Sequence, residues 1–537
     1  MSRIRKKKND NNTHEYTELR VASKWRKGVF SVLFSRLGFF IILLLLQGAV
    51  ILLIWLIFGS VIERYYLDQQ IFFELVVLLL LYNSPMDSSA KLSWMLLIST
   101  FPMLGTIFYI WTQVELGHRR LKRDLTKINY ETAGLLEQDQ KAIDDLQKEN
   151  ADSAAISNYL YKVGHYPVYE NTSVEYFPLG EIKLPHMLEE IEKAEKFIFL
   201  EYFIVEEGHM WGKILDLLAK KAKAGVDVRV MYDGTCALST LPYKYPKMLE
   251  KYGIKCKMWE PIKPVITSSY NYRDHRKILV IDGKVGFCGG VNLADEYINE
   301  INRFGHWKDT AIMIKGAAVD SLTLMFLQMW TVSEKDKSTD NFTNYLGLYD
   351  KDIKAKGYMM PYGDSPLNDH KIAERVYMDI INKAKDYVYI TTPYLILDDP
   401  LRVALRYAAE RGVDVRLVLP GIPDKNAIWA LSKSHYKNLM DAGVKVYEYD
   451  PGFIHSKVFI SDDIKAVVGT INLDYRSLYH HFECAVYMHG TSCLPDIKAD
   501  MLDTIEKSRL VVPAKIYNGK TMLNLKGHLL KLVAPLL

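Results

Sequence analysis

A duplication constrains this chain more than any other feature of its 537 residues. Residues 194–200 (AEKFIFL) match 384–390 (AKDYVYI), 190 positions further on. Residues 224–231 (AGVDVRVM) match 411–418 (RGVDVRLV) at 187, and 252–257 (YGIKCK) match 442–447 (AGVKVY) at 190. The string 275–282 (HRKILVID) then matches 455–462 (HSKVFISD) at only 180. The first copy therefore holds extra residues in 262–274, predicted to form a loop beside the site. Each copy alternates strand and helix. Residues 196–205 are apolar and aromatic, like a buried strand. Trp211, Ile214, Leu215, Leu218 and Ala219 recur at helical spacing, with Gly225 at the stop. Residues 226–231 read as the next strand. This β-α-β order predicts an α/β fold with mostly parallel sheets covered on both faces. Two like halves should pack about a pseudo-two-fold, with matching motifs meeting at the seam.

The copies agree best at polar residues, where core packing does not require agreement. His275, Lys277 and Asp282 correspond to His455, Lys457 and Asp462. Positions i and i+2 of a strand share a face, so each His projects beside its Lys. Ten residues past each Asp stands an Asn, Asn292 after Gly289-Gly-Val and Asn472 after Gly469-Thr-Ile. The small residues permit a tight turn and close approach of an anion to backbone N–H groups. An acid follows in each copy, Asp309 and Glu483, seven residues before Gly316 and Gly490.

This set suits phosphodiester chemistry. Two lysines and two asparagines can surround non-bridging oxygens and stabilise transition-state charge without a metal or other cofactor. One histidine can attack phosphorus, and the other can exchange protons with the leaving and entering alcohols. Asp309 and Glu483 would each hold a ring N–H and fix its tautomer. Asp282 and Asp462 belong to the motif, and are read as structural, capping the turn after each strand. Arg476 and Ser477 lie near enough to the second motif to touch phosphate.

The N-terminal part differs. Residues 37–58 carry no charge, and 22 residues at 1.5 Å each span about 33 Å, enough to cross a bilayer. A second apolar span covers 92–111, and a shorter one with Glu74 covers 71–82. Ten Lys or Arg lie in residues 1–36 against Asp10, Glu15 and Glu18, and Arg119, Arg120, Lys122 and Arg123 follow the last span. Two crossings put both basic clusters on the cytoplasmic side, as the positive-inside rule prefers. Because the clusters abut apolar spans, nucleic-acid binding is not expected. The five cysteines (Cys236, Cys256, Cys288, Cys484, Cys493) include no C-x2-C pair, which argues against zinc-finger or disulfide frameworks. The apolar tail 523–537 suits an interfacial helix or packing on the core.

The two His-x-Lys-x4-Asp strings resemble the paired HKD motifs of the phospholipase D superfamily. Glu201-Tyr-Phe, Trp307-x-Asp309, Lys91-Leu-Ser-Trp and Pro535-Leu-Leu resemble the bacterial cardiolipin synthases in particular. The resemblance implies two phospholipase D-like halves, 161–335 and 336–537. Before them come a basic cytoplasmic N-terminus (1–36), two or three transmembrane helices (37–112) and a linker (113–160). It implies a multi-pass cell-membrane enzyme with a cytoplasmic catalytic part. Phosphatidylglycerol would give its phosphatidyl group to His275, with His455 as general acid/base, and a second phosphatidylglycerol would accept it to form cardiolipin. A phospholipid hydrolase would use the same residues with water as acceptor. A membrane-tethered nuclease would want a basic groove. A non-enzymatic scaffold would tolerate loss of a His or Lys.

Overall fold

The computed structural model describes residues 17–22, 72–101 and 116–536, apart from 262–271, 369 and 513–520, with single positions between 49 and 110. The first copy supplies β1 (Thr172–Phe177), β2 (Phe197–Tyr202), β3 (Asp227–Asp233), β4 (Lys255–Trp259), β5 (Lys277–Ile281), β6 (Val285–Gly289), β7 (His306–Lys308) and β8 (Ala311–Gly316). The second supplies β9 (Tyr358–Asp364), β10 (Tyr387–Thr391), β11 (Asp414–Pro420), β12 (Lys445–Tyr449), β13 (Gly452–Ile454), β14 (Val458–Ser461), β15 (Lys465–Gly469), β16 (Glu483–His489) and β17 (Ser508–Leu510). One sheet runs β1-β8-β6-β5-β2-β3-β4, the other β9-β16-β15-β14-β10-β11-β12-β17. Apart from β17, the two orders are the same, so the sequence repeat is a repeat of topology.

The sheets are mixed rather than mostly parallel. Only β2-β3-β4 and β10-β11-β12 run parallel. The other neighbours, β2-β5, β5-β6, β6-β8 and β1-β8, are antiparallel, as are their counterparts. The helical crossovers read from the sequence account for the parallel part. Beyond it, β5 meets β6 through a hairpin in which Asp282 and Gly283 both have positive φ (54° and 69°). Asp462 and Asp463 do the same in the second copy (53° and 59°). Each loop has three residues, 282–284 and 462–464, and opens with a turn closed by Lys284 N–H to the Ile281 carbonyl or Ile464 N–H to the Ser461 carbonyl; a left-handed central pair gives that turn a twist matching the strands.

Asp282 does more than shape this turn, and it does not act at the chemistry. Its carboxylate accepts from the backbone N–H groups of Glu195, Lys196 and Phe197, at 2.8, 2.7 and 2.8 Å, where β2 begins. Asp462 accepts likewise from Lys385, Asp386 and Tyr387. Both lie at the far end of a strand from the motif histidine, so each acts as a clamp between strands and not as a member of the catalytic set. Asp282→Ala should lower stability by about 2–4 kcal/mol, since it strands buried donors. Asp462→Ala should cost less, because its partners are more exposed. Thermal unfolding of the two variants checks the ranking.

The sheets share a core. Phe199, Ile278 and Ile312 of one pack with Val458, Ile460 and Val486 of the other, around the buried helix Val319–Val332. The segment expected as a linker is mostly helical from residue 116 onward. It forms the helices Leu116–Thr132, Gln140–Glu149 and Ala151–Gly164, and Ile128, Leu146 and Leu160 are fully buried. Their apolar residues recur at helical spacing and must be covered.

No helix among the described residues is long and apolar enough to cross a membrane. The span expected over 37–58 lies outside them, except for five positions. Ser88–Thr100 is helical, as are residues 72–82, and Val77, Leu81, Trp94 and Ile98 pack together. Phe72, Leu75, Leu79, Leu80, Leu92 and Leu96 stay exposed. The loop expected in the first copy also falls mostly on 262–271, outside the described residues. In the tail, the helix Thr521–Val533 packs on Asn426–Met440, where Gly527 lies against the Ala430 carbonyl. Leu525, Leu529 and Leu532 face outward.

Candidate active site

The halves meet through reciprocal backbone pairing. β13 pairs in parallel with β7, and His455 donates its N–H to the Lys308 carbonyl at 2.7 Å. On the other side, Asp274 bridges Phe482, His275 donates its N–H to the Phe482 carbonyl, and Phe482 donates to Arg273. The segment leading to each motif histidine is thus docked against the segment leading to the other half's acid.

The side chains follow. His275 Nδ1 lies 2.9 Å from Glu483 Oε2, and His455 Nδ1 lies 2.6 Å from Asp309 Oδ2. Each acid serves the histidine of the opposite half. With Nδ1–H donating to the acid, each neutral ring keeps a free lone pair on Nε2. Asp309 also accepts from the Thr310 N–H, and Thr470 Oγ1 donates to Glu483. All four groups are buried, with both histidines 6% exposed and both acids 0%.

Lys277 and Lys457 lie beside the histidines, and each ammonium folds back on the carbonyl of its own histidine. Burial pushes Lys277 down to about 8 and Lys457 down to about 7, each partly offset by Asp309 and Glu483. Burial, followed by the two lysines, holds both imidazoles well below their usual range, so they stand neutral. Burial lifts Asp309 to about 6 against the pull of Lys457. Lys277 and Lys457 both lower each imidazole, so each ammonium lies within electrostatic reach of both rings. Because the lysine shifts are downward, the ammonium form is lost as pH rises through about 7 to 8. We expect kcat/KM to fall on that alkaline side, where phosphate loses its cations. A profile flat from pH 7 to 10 would contradict this.

Two expectations need correction. The residue two before each Asn does not offer its N–H group to an anion. Gly290 N–H donates to the Thr310 carbonyl and Thr470 N–H to Cys484. A Cβ on Gly289 would lie 2.5 Å from Ala311 Cα, and one on Gly469 2.3 Å from Ala485 Cβ, so the small residues serve strand contact. Asn292 is largely engaged elsewhere. Its Oδ1 accepts from Ile204 N–H and its Nδ2 donates to Tyr297 Oη, leaving one amide proton for a ligand. Asn472 differs, since its buried Oδ1 has no hydrogen-bond partner. Ser477 N–H instead caps onto Asp474.

Several neighbours were not visible in the sequence. Phe203 packs edge-on to His275 at 4.8 Å, and Tyr297 edge-on to His455 at 5.5 Å, walling the site with apolar rings. Lys183, 1% exposed, lies 3.3 Å from Tyr202 Oη, and burial pushes it down to about 8. A lone Lys on a helix gives no signal of this. His481 lies against the His275 ring at 5.4 Å.

A profile of the family described as "Cardiolipin synthase, PLD-like domain" matches residues 187–330 and 377–505, which enclose both motifs. The chain belongs to this cardiolipin synthase family. The cardiolipin synthase of Alkalihalophilus pseudofirmus is 34% identical over 450 residues, covering 83% of this chain and 88% of its own length. An uncharacterized protein of Streptococcus mutans is 55% identical over 459 residues, covering 86% and 99%. The crystal structure of a phosphatidylserine synthase from Haemophilus influenzae shares the fold, with a TM-score of 0.53 and 14% identity, over 72% of this chain and all of that one. As a member of the cardiolipin synthase family, the chain is an enzyme of the phospholipase D type, with phosphatidyl-transfer or phospholipase chemistry on phospholipids.

Proposed function

We propose that this enzyme joins two phosphatidylglycerol molecules into cardiolipin and glycerol through a phosphohistidine. The observation that carries the reading is the pair of buried imidazole–acid couples, each completed across the seam, with a buried lysine beside each histidine. His275 Nε2 attacks phosphorus, and the bond to the glycerol oxygen breaks as His455 supplies the leaving oxygen with a proton. His455 then takes a proton from the hydroxyl of the second phosphatidylglycerol. That oxygen attacks phosphorus, and the His275 N–P bond breaks. Lys277 and Lys457 balance the charge on the non-bridging oxygens. The family's usual assignment of the nucleophile to the first motif places it at His275. The aromatic walls and the burial of both rings favour an alcohol acceptor over bulk water.

Membrane attachment through 37–112, with the catalytic part cytoplasmic, completes the proposal. The exposed apolar residues of 72–101 and the basic flanks support it. Purified protein incubated with phosphatidylglycerol should release cardiolipin and glycerol. Phosphatidic acid as the main product would mark a hydrolase instead. Cleavage of DNA by wild type but not by His275→Ala would mark a nuclease.

A further inference from the structure

Beside the His275–Glu483 couple stand polar atoms that the transfer mechanism does not use. His481 is 9% exposed, and neither of its ring nitrogens has a hydrogen-bond partner among the described residues. Glu483 is fully buried, and its Oε1 also lacks a hydrogen bond, although the His481 Nδ1 lies 3.7 Å from it. Native interiors seldom leave donors and acceptors unmatched at such range without a ligand to match them. An ordinary core position would favour an apolar ring.

We propose that His275, His481 and Glu483 form an inhibitory site for a divalent transition metal of the zinc class. One nitrogen from each histidine and one Glu483 oxygen all lie within 4.8 Å of one another. Glu483 Oε1 is 2.9 Å from His275 Nδ1 and 3.7 Å from His481 Nδ1. Zinc with bonds of about 2.0–2.1 Å sets tetrahedral ligand edges near ~3.3 Å, between those two values. Two imidazoles and one carboxylate suit zinc, cobalt, nickel or copper, whereas magnesium and calcium want oxygen sets. Three protein ligands leave a fourth position for water or a phosphate oxygen.

Inhibition follows from the tautomer. In the metal-free site the His275 Nδ1 proton faces Glu483 and Nε2 carries the lone pair. A metal at Nδ1 takes the place of that proton, which passes to Nε2, so the neutral ring presents an N–H there and no lone pair. Nε2 can no longer form a bond to phosphorus. This step rests on His275 being the nucleophile; metal binding itself rests only on the geometry.

The test uses the full-length protein in detergent, stripped with chelator and titrated with cobalt(II). Wild type should show the visible absorption bands of four-coordinate cobalt at one ion per chain, and zinc should displace them. His481→Ala and Glu483→Gln should each weaken binding at least tenfold. His481→Asn, closer in size, guards against loss of fold, and thermal unfolding checks all three. Zinc should inhibit wild-type transfer over the range in which it displaces cobalt. Unchanged cobalt binding in His481→Ala and His481→Asn, or no stoichiometric binding in wild type, would overturn the site. Stoichiometric binding without inhibition would overturn its inhibitory role. Cobalt binding by a metal-free protein that makes no cardiolipin would overturn the lipid reading and leave the metal site standing.

Discussion

Alanine at either His275 or His455 is expected to lower cardiolipin formation by about 10⁴-fold or more, with the double variant little worse than either single one. Groups that act as one unit lose their contributions together, so their effects do not add. Both rings are enclosed, so a loss of this size must be separated from unfolding. Thermal unfolding should show both variants folded at assay temperature. Quenching wild type during turnover with phosphorus-labelled substrate should leave label on a single histidine. His275→Ala should carry none, while His455→Ala should still accept it from a substrate whose leaving group needs no proton. Near-normal turnover in either alanine variant would end the phosphohistidine account.

The second large effect concerns the acids. Glu483→Gln and Asp309→Asn should each lower kcat by about 10⁴-fold, the loss expected when a carboxylate no longer fixes its histidine's tautomer. The crossed hydrogen bonds predict how these variants group. A phosphatidyl ester of p-nitrophenol releases a weakly basic leaving group, so its first turnover does not require a general acid. With that substrate, Asp309→Asn and His455→Ala should keep a burst of nitrophenol. Glu483→Gln and His275→Ala should lose it. If each acid served the histidine of its own half, Asp309→Asn would instead group with His275→Ala.

Much of this architecture is legible in the sequence, because duplication prints the same residues twice. The strand-helix-strand units, the two His-x-Lys strings and the acids after them all follow from aligned copies. The crossing does not. Spacing places Asp309 after His275 and Glu483 after His455, but only the pairing of β7 with β13, and of Asp274 with Phe482, carries each acid to the other half's ring. The antiparallel part of each sheet escaped because Asp282-Gly283 reads as a generic turn until both φ values are known to be positive. Asp282 itself looked like a cap on its own turn, yet its ligands are N–H groups some 85 residues earlier, beyond the reach of local patterns. His481 gave no signal, since adjacent histidines such as His480 and His481 carry no metal-ligand spacing.

The exchange of acids between halves has a consequence for symmetry. When two identical subunits meet about a two-fold axis, residue i of one touches j of the other, and j touches i. His275–Glu483 and Asp309–His455 obey that rule inside a single polypeptide. The chain therefore has the contact pattern of a homodimer joined into one polypeptide. In a true homodimer the two imidazoles would be chemically equivalent, and any change in one would appear in the other. Inside one polypeptide the two copies are free to differ, and they do: Gly290 stands where the second copy has Thr470, and Asn292 Oδ1 accepts from Ile204 N–H whereas Asn472 Oδ1 has no hydrogen-bond partner.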